Sequence, residues 1–225
     1  MDNNLRTKAV VLHRTNYGES DRILQLLTEH GRFSVLAKGA RKEKSKLAGG
    51  IEMFCLCDVT IRKGKGEIHS LTSARTELVW HNFLNNYERT QFSYEVIKQI
   101  NRVTSAVDDI DFFELLIQCL TNINDILLDI RLVKIWFWIQ IGILSGTGLN
   151  LSIDSRGYRL EVGKKYNFDV SQSSFVESIS GKFTADHIRL LRVLSANDPH
   201  VAQRVIGLEE LINDCLWVAE RSMSH

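Results

Sequence analysis

Met53-Phe54-Cys55-Leu56-Cys57-Asp58-Val59-Thr60-Ile61-Arg62 alternates without a break. Met53, Cys55, Cys57, Val59 and Ile61 fall on one side of an extended chain, and Phe54, Leu56, Asp58, Thr60 and Arg62 on the other. Side chains two apart share a face only in a strand, so the segment reads as a β-strand with an apolar inner face. Upstream, Lys8–His13 and Asp21–Thr28 are short aliphatic runs. Residues 32–38 alternate again, with Phe33, Val35 and Ala37 opposed to Ser34, Leu36 and Lys38. Downstream lies a fifth run, Glu67–Leu71. Asn16-Tyr17-Gly18, His30-Gly31 and Lys63-Gly64-Lys65-Gly66 supply the turns. Five short strands predict a small barrel, and their spacing fits a five-stranded OB-fold and an SH3-like barrel alike.

From about residue 77 the period becomes helical. Asp111-Phe112-Phe113-Glu114 reads as a capping box opening a helix through Leu115, Leu116, Cys119, Leu120, Ile123, Ile126 and Leu127. Arg131–Leu144 is apolar nearly all round and predicts the centre of a helical bundle. Residues 145–182 are rich in Gly, Ser and Asn, with short strand-like pieces, and helices resume at Phe183-Thr184 and over Leu208–Arg221. The expected architecture is α+β: a barrel domain over residues 1–78 and a helical domain over 79–225, interrupted by the insertion at 145–182.

The formal net charge of +1 over 225 residues looks uninformative. Divided at residue 80, it becomes 14 Lys/Arg against 9 Asp/Glu in the first part and 14 against 18 in the second. A basic barrel precedes an acidic helical body. Lys38, Arg41, Lys42, Lys44 and Lys46 stand within nine residues. Such a loop is an electrostatic footprint for phosphates, because each phosphate neutralised releases counterions. Composition alone leaves open a solvated loop with no partner. Aromatic residues for base stacking are few here (Tyr17, Phe33, Phe54), and Phe33 is expected to look inward, so backbone contact with little base readout is anticipated.

The 44% hydrophobic content excludes disordered and fibrous classes. The opening residues lack the apolar core of a secretory signal, and the most apolar run, Ile135–Leu144, is about half the ~20 residues of a membrane helix. Four cysteines in a chain this long make no disulfide framework. A cytoplasmic protein with reduced thiols and no membrane partner is expected.

In order along the chain stand Thr7–His13, Tyr17-Gly18-Glu19-Ser20-Asp21-Arg22, Leu27-Thr28 with Gly31, Ala37-Lys38-Gly39-Ala40-Arg41, Ser45, and Lys63-Gly64-Lys65-Gly66-Glu67. This co-linear set resembles the N-terminal domain of the RecO family of bacterial recombination and repair mediators. The resemblance is close over residues 5–75 and looser beyond, where Ile135–Gly148 resembles the family's core helix and residues 183–222 its C-terminal helices.

The resemblance implies an OB-fold joined to a helical domain and a non-enzymatic activity. That activity would be binding single- and double-stranded DNA, annealing complementary strands, and assisting recombinase loading onto strands coated by single-stranded DNA-binding protein. RecR and the acidic C-terminal tail of the coating protein would be partners. The family's DNA-binding residues map by motif onto Lys38, Arg41, Lys42, Lys44 and Lys46, with Arg22 and Arg14 beside them; Lys63 and Lys65 complete the basic set. Many members hold a zinc ribbon of two C-x-x-C pairs after the core helix. Here residues 145–182 contain neither Cys nor His, so a degenerate, metal-free lobe is expected, with no cofactor.

The remaining motifs read as structural. Cys55 and Cys57 share the apolar strand face, and Cys119 and Cys215 lie on apolar helix faces, which suits core packing. His13, His30, His69, His81, His187, His200 and His225 show no ligand spacing. Gly146-Thr147-Gly148 lacks the rest of a dinucleotide fingerprint. Glu19 and Asp21 read as turn residues balanced by Arg22, Asp108, Asp109 and Asp111 as acids at a helix start, and Trp136 and Trp138 as core. The alternative function, from another class, is an OB-fold protein-interaction adaptor with little DNA affinity.

Overall fold

The computed structural model describes residues 3–105 and 110–223. Asp108, Asp109 and His225, and with them the acidic run before Asp111, lie outside the described residues. The chain divides into two compact units, Met1–Asn124 and Asp125–His225.

The first unit opens with five strands: β1 (Asn4–Tyr17), β2 (Asp21–Thr28), β3 (Gly31–Ala37), β4 (Cys55–Arg62) and β5 (Ile68–Val79). They close into a barrel in the order β1-β2-β3-β5-β4. β3 and β5 run parallel and the other pairs antiparallel, which is OB topology and settles the choice the strand spacing left open. β1 serves both sheets of the barrel, pairing with β4 at its start and β2 at its end, and its register shifts between Val11 and His13. Such an irregularity bends and twists a strand, as closure requires.

The alternation read from the sequence becomes the barrel interior. Cys55, Cys57, Val59 and Ile61 are buried with Val35, Ala37, Leu24, Leu26, Ala9 and Val11, while Met53 and Phe33 pack at its margin. Each fully buried aliphatic side chain contributes about 1.5–3 kcal/mol. Burial pushes the Cys57 thiol up to about 12, so it packs as a small hydrophobe.

β5 runs to Val79, so the helical period expected from about residue 77 begins later, with α1 (Tyr87–Val103) and then α2 (Asp111–Asn124). The barrel's last strand ends at Val79, and both helices belong to the same compact unit as the barrel. Phe54 leaves the barrel at φ 58° and meets Phe83 and Tyr94 edge-on at 5.2 and 4.9 Å. Trp80 Nε1 donates to Thr121 Oγ1 at 3.1 Å, and Arg32 Nη1 to the Asn101 carbonyl at 3.2 Å. Asp111 is already the first helical residue of α2, one place later than a cap, with Phe113 N–H donating to the Ile110 carbonyl at 2.9 Å.

The second unit is built on α3 (Ile130–Leu144), whose buried residues include Leu132, Val133, Ile135, Trp136, Phe137, Trp138, Ile139 and Ile141. Asp129 caps it, accepting from Arg131 N–H at 2.8 Å. The helix expected to run through Leu127 ends at Asn124 instead; the Asp125 side chain accepts from Leu127 N–H at 2.9 Å and so holds a turn. β6 (Tyr166–Asp169) and β7 (Ser174–Glu177) form a hairpin, followed by α4 (Ala185–Ala196), the short α5 (Pro199–Ala202) with Pro199 at its first position, and α6 (Leu208–Ser222). An aromatic cluster holds the hairpin: Phe175 meets Phe168 at 5.3 Å and Phe183 at 5.7 Å, and Phe183 stacks on Trp217 at 6.3 Å. Among the described residues no helix is long and apolar enough to cross a membrane.

Candidate nucleic-acid interface

Two chain segments meet at one end of the barrel: the β1–β2 turn, and the long connection from β3 to β4. Ala40 anchors that connection, since it is buried with the barrel core. Its neighbours Lys38 and Arg41 are exposed, as are Lys42, Lys44 and Lys46. Gly39 adopts φ +63°, a left-handed conformation that other residues rarely take, and its N–H donates to Asp21 Oδ1 at 2.7 Å. Arg41 N–H donates to the Ser20 carbonyl at 2.9 Å and Arg41 Nη1 to the Gly18 carbonyl at 3.3 Å. Further along, Lys42 N–H donates to the Gly39 carbonyl at 3.1 Å and Ser45 N–H to the Lys42 carbonyl at 3.0 Å. The loop is therefore a tight succession of turns fastened to the β1–β2 turn.

Among the described residues no ion pair involves Lys38, Arg41, Lys42, Lys44 or Lys46. A held backbone bearing five solvated cations can take up several phosphates with little further loss of backbone entropy.

Arg14 and Arg22 stand at the same end of the barrel, on β1 and β2, and differ from the loop cations in being engaged. Both reach Glu52: Arg14 Nη1 pairs with Oε2, and Arg22 Nη1 lies 3.7 Å from Oε1. The expectation that Arg22 balances Glu19 and Asp21 gives way to this pairing, since Asp21 Oδ1 instead accepts from Gly39 and, at 3.2 Å, from Ser20 Oγ. Lys63 and Lys65 are exposed in the β4–β5 turn, beside the start of β1, where Lys63 N–H donates to the Asn3 carbonyl at 2.8 Å. Lys63 Nζ sits 5.6 Å above the Phe33 ring, and Phe33 in turn contacts His69 at 5.8 Å. The nine basic candidates thus form one grouped set of seven and a separate pair.

Of the aromatics, Phe54 is buried against helix α1 and unavailable for stacking, Phe33 is half-buried at the barrel margin, and Tyr17 is 56% exposed at the end of β1 beside the basic loop. The roles of Glu52 and Asp21 escaped the sequence, because each acts on residues far along the chain.

A zinc site is not supported by the residues present. Residues 145–182 contain no Cys or His, and among the described residues no group of three His, Cys, Asp or Glu could hold a metal ion. Two carboxylates fasten the turns instead. Asp154 Oδ1 accepts from Arg156 and Tyr158 N–H at 2.9 and 2.8 Å, and Asp169 Oδ1 from Ser171 N–H at 2.9 Å.

The family model described as "Recombination protein O N terminal" matches residues 1–78, the barrel almost to the end of β5. Among curated proteins, the chain is 37% identical over 90 residues to a DNA repair protein RecO of Dehalococcoides mccartyi (strain CBDB1), covering 40% of this chain and 35% of that protein. It is 31% identical over 120 residues to the Roseiflexus protein of that name, covering 53% and 42%. A longer match, 26% identical over 187 residues, covers 76% of this chain and 66% of the Bacillus pumilus protein of the same name. The chain spans 34–40% of the length of the first curated relatives it matches. Residues 1–78 thus match the N-terminal domain of recombination protein O, and the similarity to proteins named DNA repair protein RecO runs on past the barrel at lower identity.

Proposed function

We propose that the chain is a non-enzymatic mediator of DNA repair and homologous recombination. It binds single- and double-stranded DNA through the barrel, anneals complementary strands, and assists recombinase loading onto strands coated by single-stranded DNA-binding protein. The observation that carries this reading is the loop Lys38–Lys46: five exposed cations, without an ion pair among the described residues, on a backbone fastened to the β1–β2 turn, within a domain of the RecO type. The DNA contacts are Lys38, Arg41, Lys42, Lys44 and Lys46, supported by Arg14 and Arg22, with Lys63 and Lys65 as an outlying pair. Such a set addresses the phosphate backbone and carries little sequence information.

In this reading residues 79–225 form the helical domain that receives RecR and the acidic tail of the coating protein, residues 145–182 are a degenerate zinc-ribbon-like lobe, and the protein works in the cytoplasm without a cofactor. The similarity to proteins named DNA repair protein RecO supports the repair role.

The test is the anisotropy of a labelled single strand titrated with the protein across a salt series. With about five phosphates engaged, log K should fall against log[salt] with a slope near −3 to −4. A flat dependence, or no binding at low salt, would overturn the reading. Annealing of complementary oligonucleotides coated with the cognate single-strand binding protein then tests the mediator activity itself.

A further inference from the structure

Among the described residues, Glu52 is the acidic side chain held against two of the candidate DNA-binding arginines, its two oxygens divided between them. Its backbone has little room to move. Ile51 before it is buried in the barrel core, and Met53 after it packs against that core. Gly50 lies so close to β5 that a Cβ there would stand 2.5 Å from the Ala74 carbonyl carbon. Thr76 Oγ1 donates to the Gly49 carbonyl at 2.7 Å, and Trp80 N–H to the Phe54 carbonyl at 2.9 Å. The carboxylate is thus presented from a rigid base to Arg14 of β1 and Arg22 of β2, which both reach it.

Two guanidinium groups converging on two oxygens of one anion is also the arrangement by which arginines grip a phosphate. We propose that Glu52 is an internal phosphate mimic: it occupies the place of a backbone phosphate between Arg14 and Arg22 and must yield when a strand binds. The inference rests on the DNA-binding reading above and adds to it a residue that sets affinity and release. The Glu52 side chain is half exposed, and those of Arg14 and Arg22 are 30% and 26% exposed, so the pairs are screened and a phosphate can displace them. Displacement returns a cation to the freed carboxylate, so fewer counterions are released on binding than two unpaired arginines would release. Glu52 therefore weakens binding, flattens its salt dependence and speeds dissociation, which suits a protein that must surrender its strand.

The experiment compares the full-length protein with Glu52→Gln on a labelled single strand across a salt series, alone and in an Arg14→Gln/Arg22→Gln background. Glu52→Gln should bind roughly three- to tenfold more tightly, the scale set by two exposed ion pairs. Its slope of log K against log[salt] should steepen by about 0.7–1.4, the share of one or two further phosphates. Both effects should vanish when the arginines are neutral. Unchanged or weaker binding by Glu52→Gln, with salt-dependent binding by the wild type intact, overturns the mimic and leaves DNA binding standing. The same gain in the Arg14→Gln/Arg22→Gln background also overturns it, since bulk charge would then explain the effect. Failure of the wild type and Glu52→Gln alike to bind overturns the DNA reading itself, and the mimic with it. Thermal unfolding of Glu52→Gln within a few degrees of wild type shows that the fold is retained.

Discussion

The Gly39 N–H donates to Asp21 Oδ1 at 2.7 Å, joining the base of the basic loop to the first residue of β2. The bond does two things. It satisfies an amide at a left-handed turn, and it fixes where Lys38 and Arg41 emerge on either side of the buried Ala40.

Asp21→Ala removes this acceptor and should cost about 1–2 kcal/mol of unfolding free energy, as for a partly buried bond to a charged group. Asp21→Asn keeps an oxygen in place and should recover most of that loss. DNA affinity of the alanine variant should fall a few-fold, because the loop must then be ordered on binding. Its salt slope should match wild type, since no phosphate contact has been removed. Urea unfolding and the salt-series anisotropy measure the two effects separately.

Arg41→Ala with Lys44→Ala should do the reverse. Both side chains are exposed, and Arg41 makes one further bond, to the Gly18 carbonyl. Stability should change by less than about 1 kcal/mol. Binding should weaken to a similar extent for all sequences, and the salt slope should become shallower by about 1.4, at roughly 0.7 per phosphate on a single strand. A changed sequence preference would mean that these side chains read bases.

How far the sequence disclosed this arrangement depends on the range of the interactions. Strands β3 and β4 were legible because each has one buried face, so burial writes a period of two into the chain, and β2 was legible as an aliphatic run. The second half of β5, Thr72–Val79, has no fully buried residue, and that period is missing there. The charges of the loop were visible as composition. What holds the loop, Asp21 to Gly39, and what occupies the arginines, Glu52 to Arg14, span 18 and 38 residues and leave no local pattern. In the segment 145–182, the lack of cysteine was legible, but the aspartate turns and aromatic packing that hold it were not.

His200 in α5 gives the second unit a defined pH response. Its Nδ1 lies 2.6 Å from Asp198 Oδ1 and its Nε2 3.0 Å from Asp125 Oδ2. Hydrogen bonding to Asp125 and then to Asp198 raises the imidazole's pKa, while His200, followed by the Leu127 amide, lowers that of Asp125. The contribution of His200 is complete below the unfolded pKa of about 6.5 and is lost as pH rises through the raised folded value. That of Asp125 is present above about 3.9 and is lost as pH falls through its lowered value. The pair therefore stabilises most between roughly pH 4 and 6.5. His187, whose pKa burial lowers, titrates with the opposite sign, so the comparison needed is wild type against His200→Gln. Because the His200 side chain is 47% exposed, solvent screening limits the expected difference to about 0.5–1 kcal/mol. Urea unfolding at pH 5.5 and 8.5 should show wild type losing that much more stability than His200→Gln on going to the higher pH; equal losses would show that His200 contributes nothing through Asp125 and Asp198.

The insertion should be independent of metal, because carboxylates and aromatic rings hold it. Asp154 is 5% exposed, and its Oδ1 closes the turn to Arg156 and Tyr158. Main-chain bonds run alongside, from Asp154 N–H to the Tyr158 carbonyl at 2.7 Å and from Ser155 N–H to the Phe175 carbonyl of β7 at 2.8 Å. Asp154→Ala strands two amides in a partly buried turn and should cost about 1–3 kcal/mol. The loss should be local: hydrogen exchange should quicken over residues 150–183 and stay unchanged in the barrel strands. Asp154→Asn, which still offers one oxygen, should fall between. Elemental analysis of the purified protein should give no stoichiometric zinc, and chelator should leave the melting temperature unmoved. One tightly held equivalent of zinc, lost together with stability on chelation, would show that a metal and not Asp154 organises this lobe.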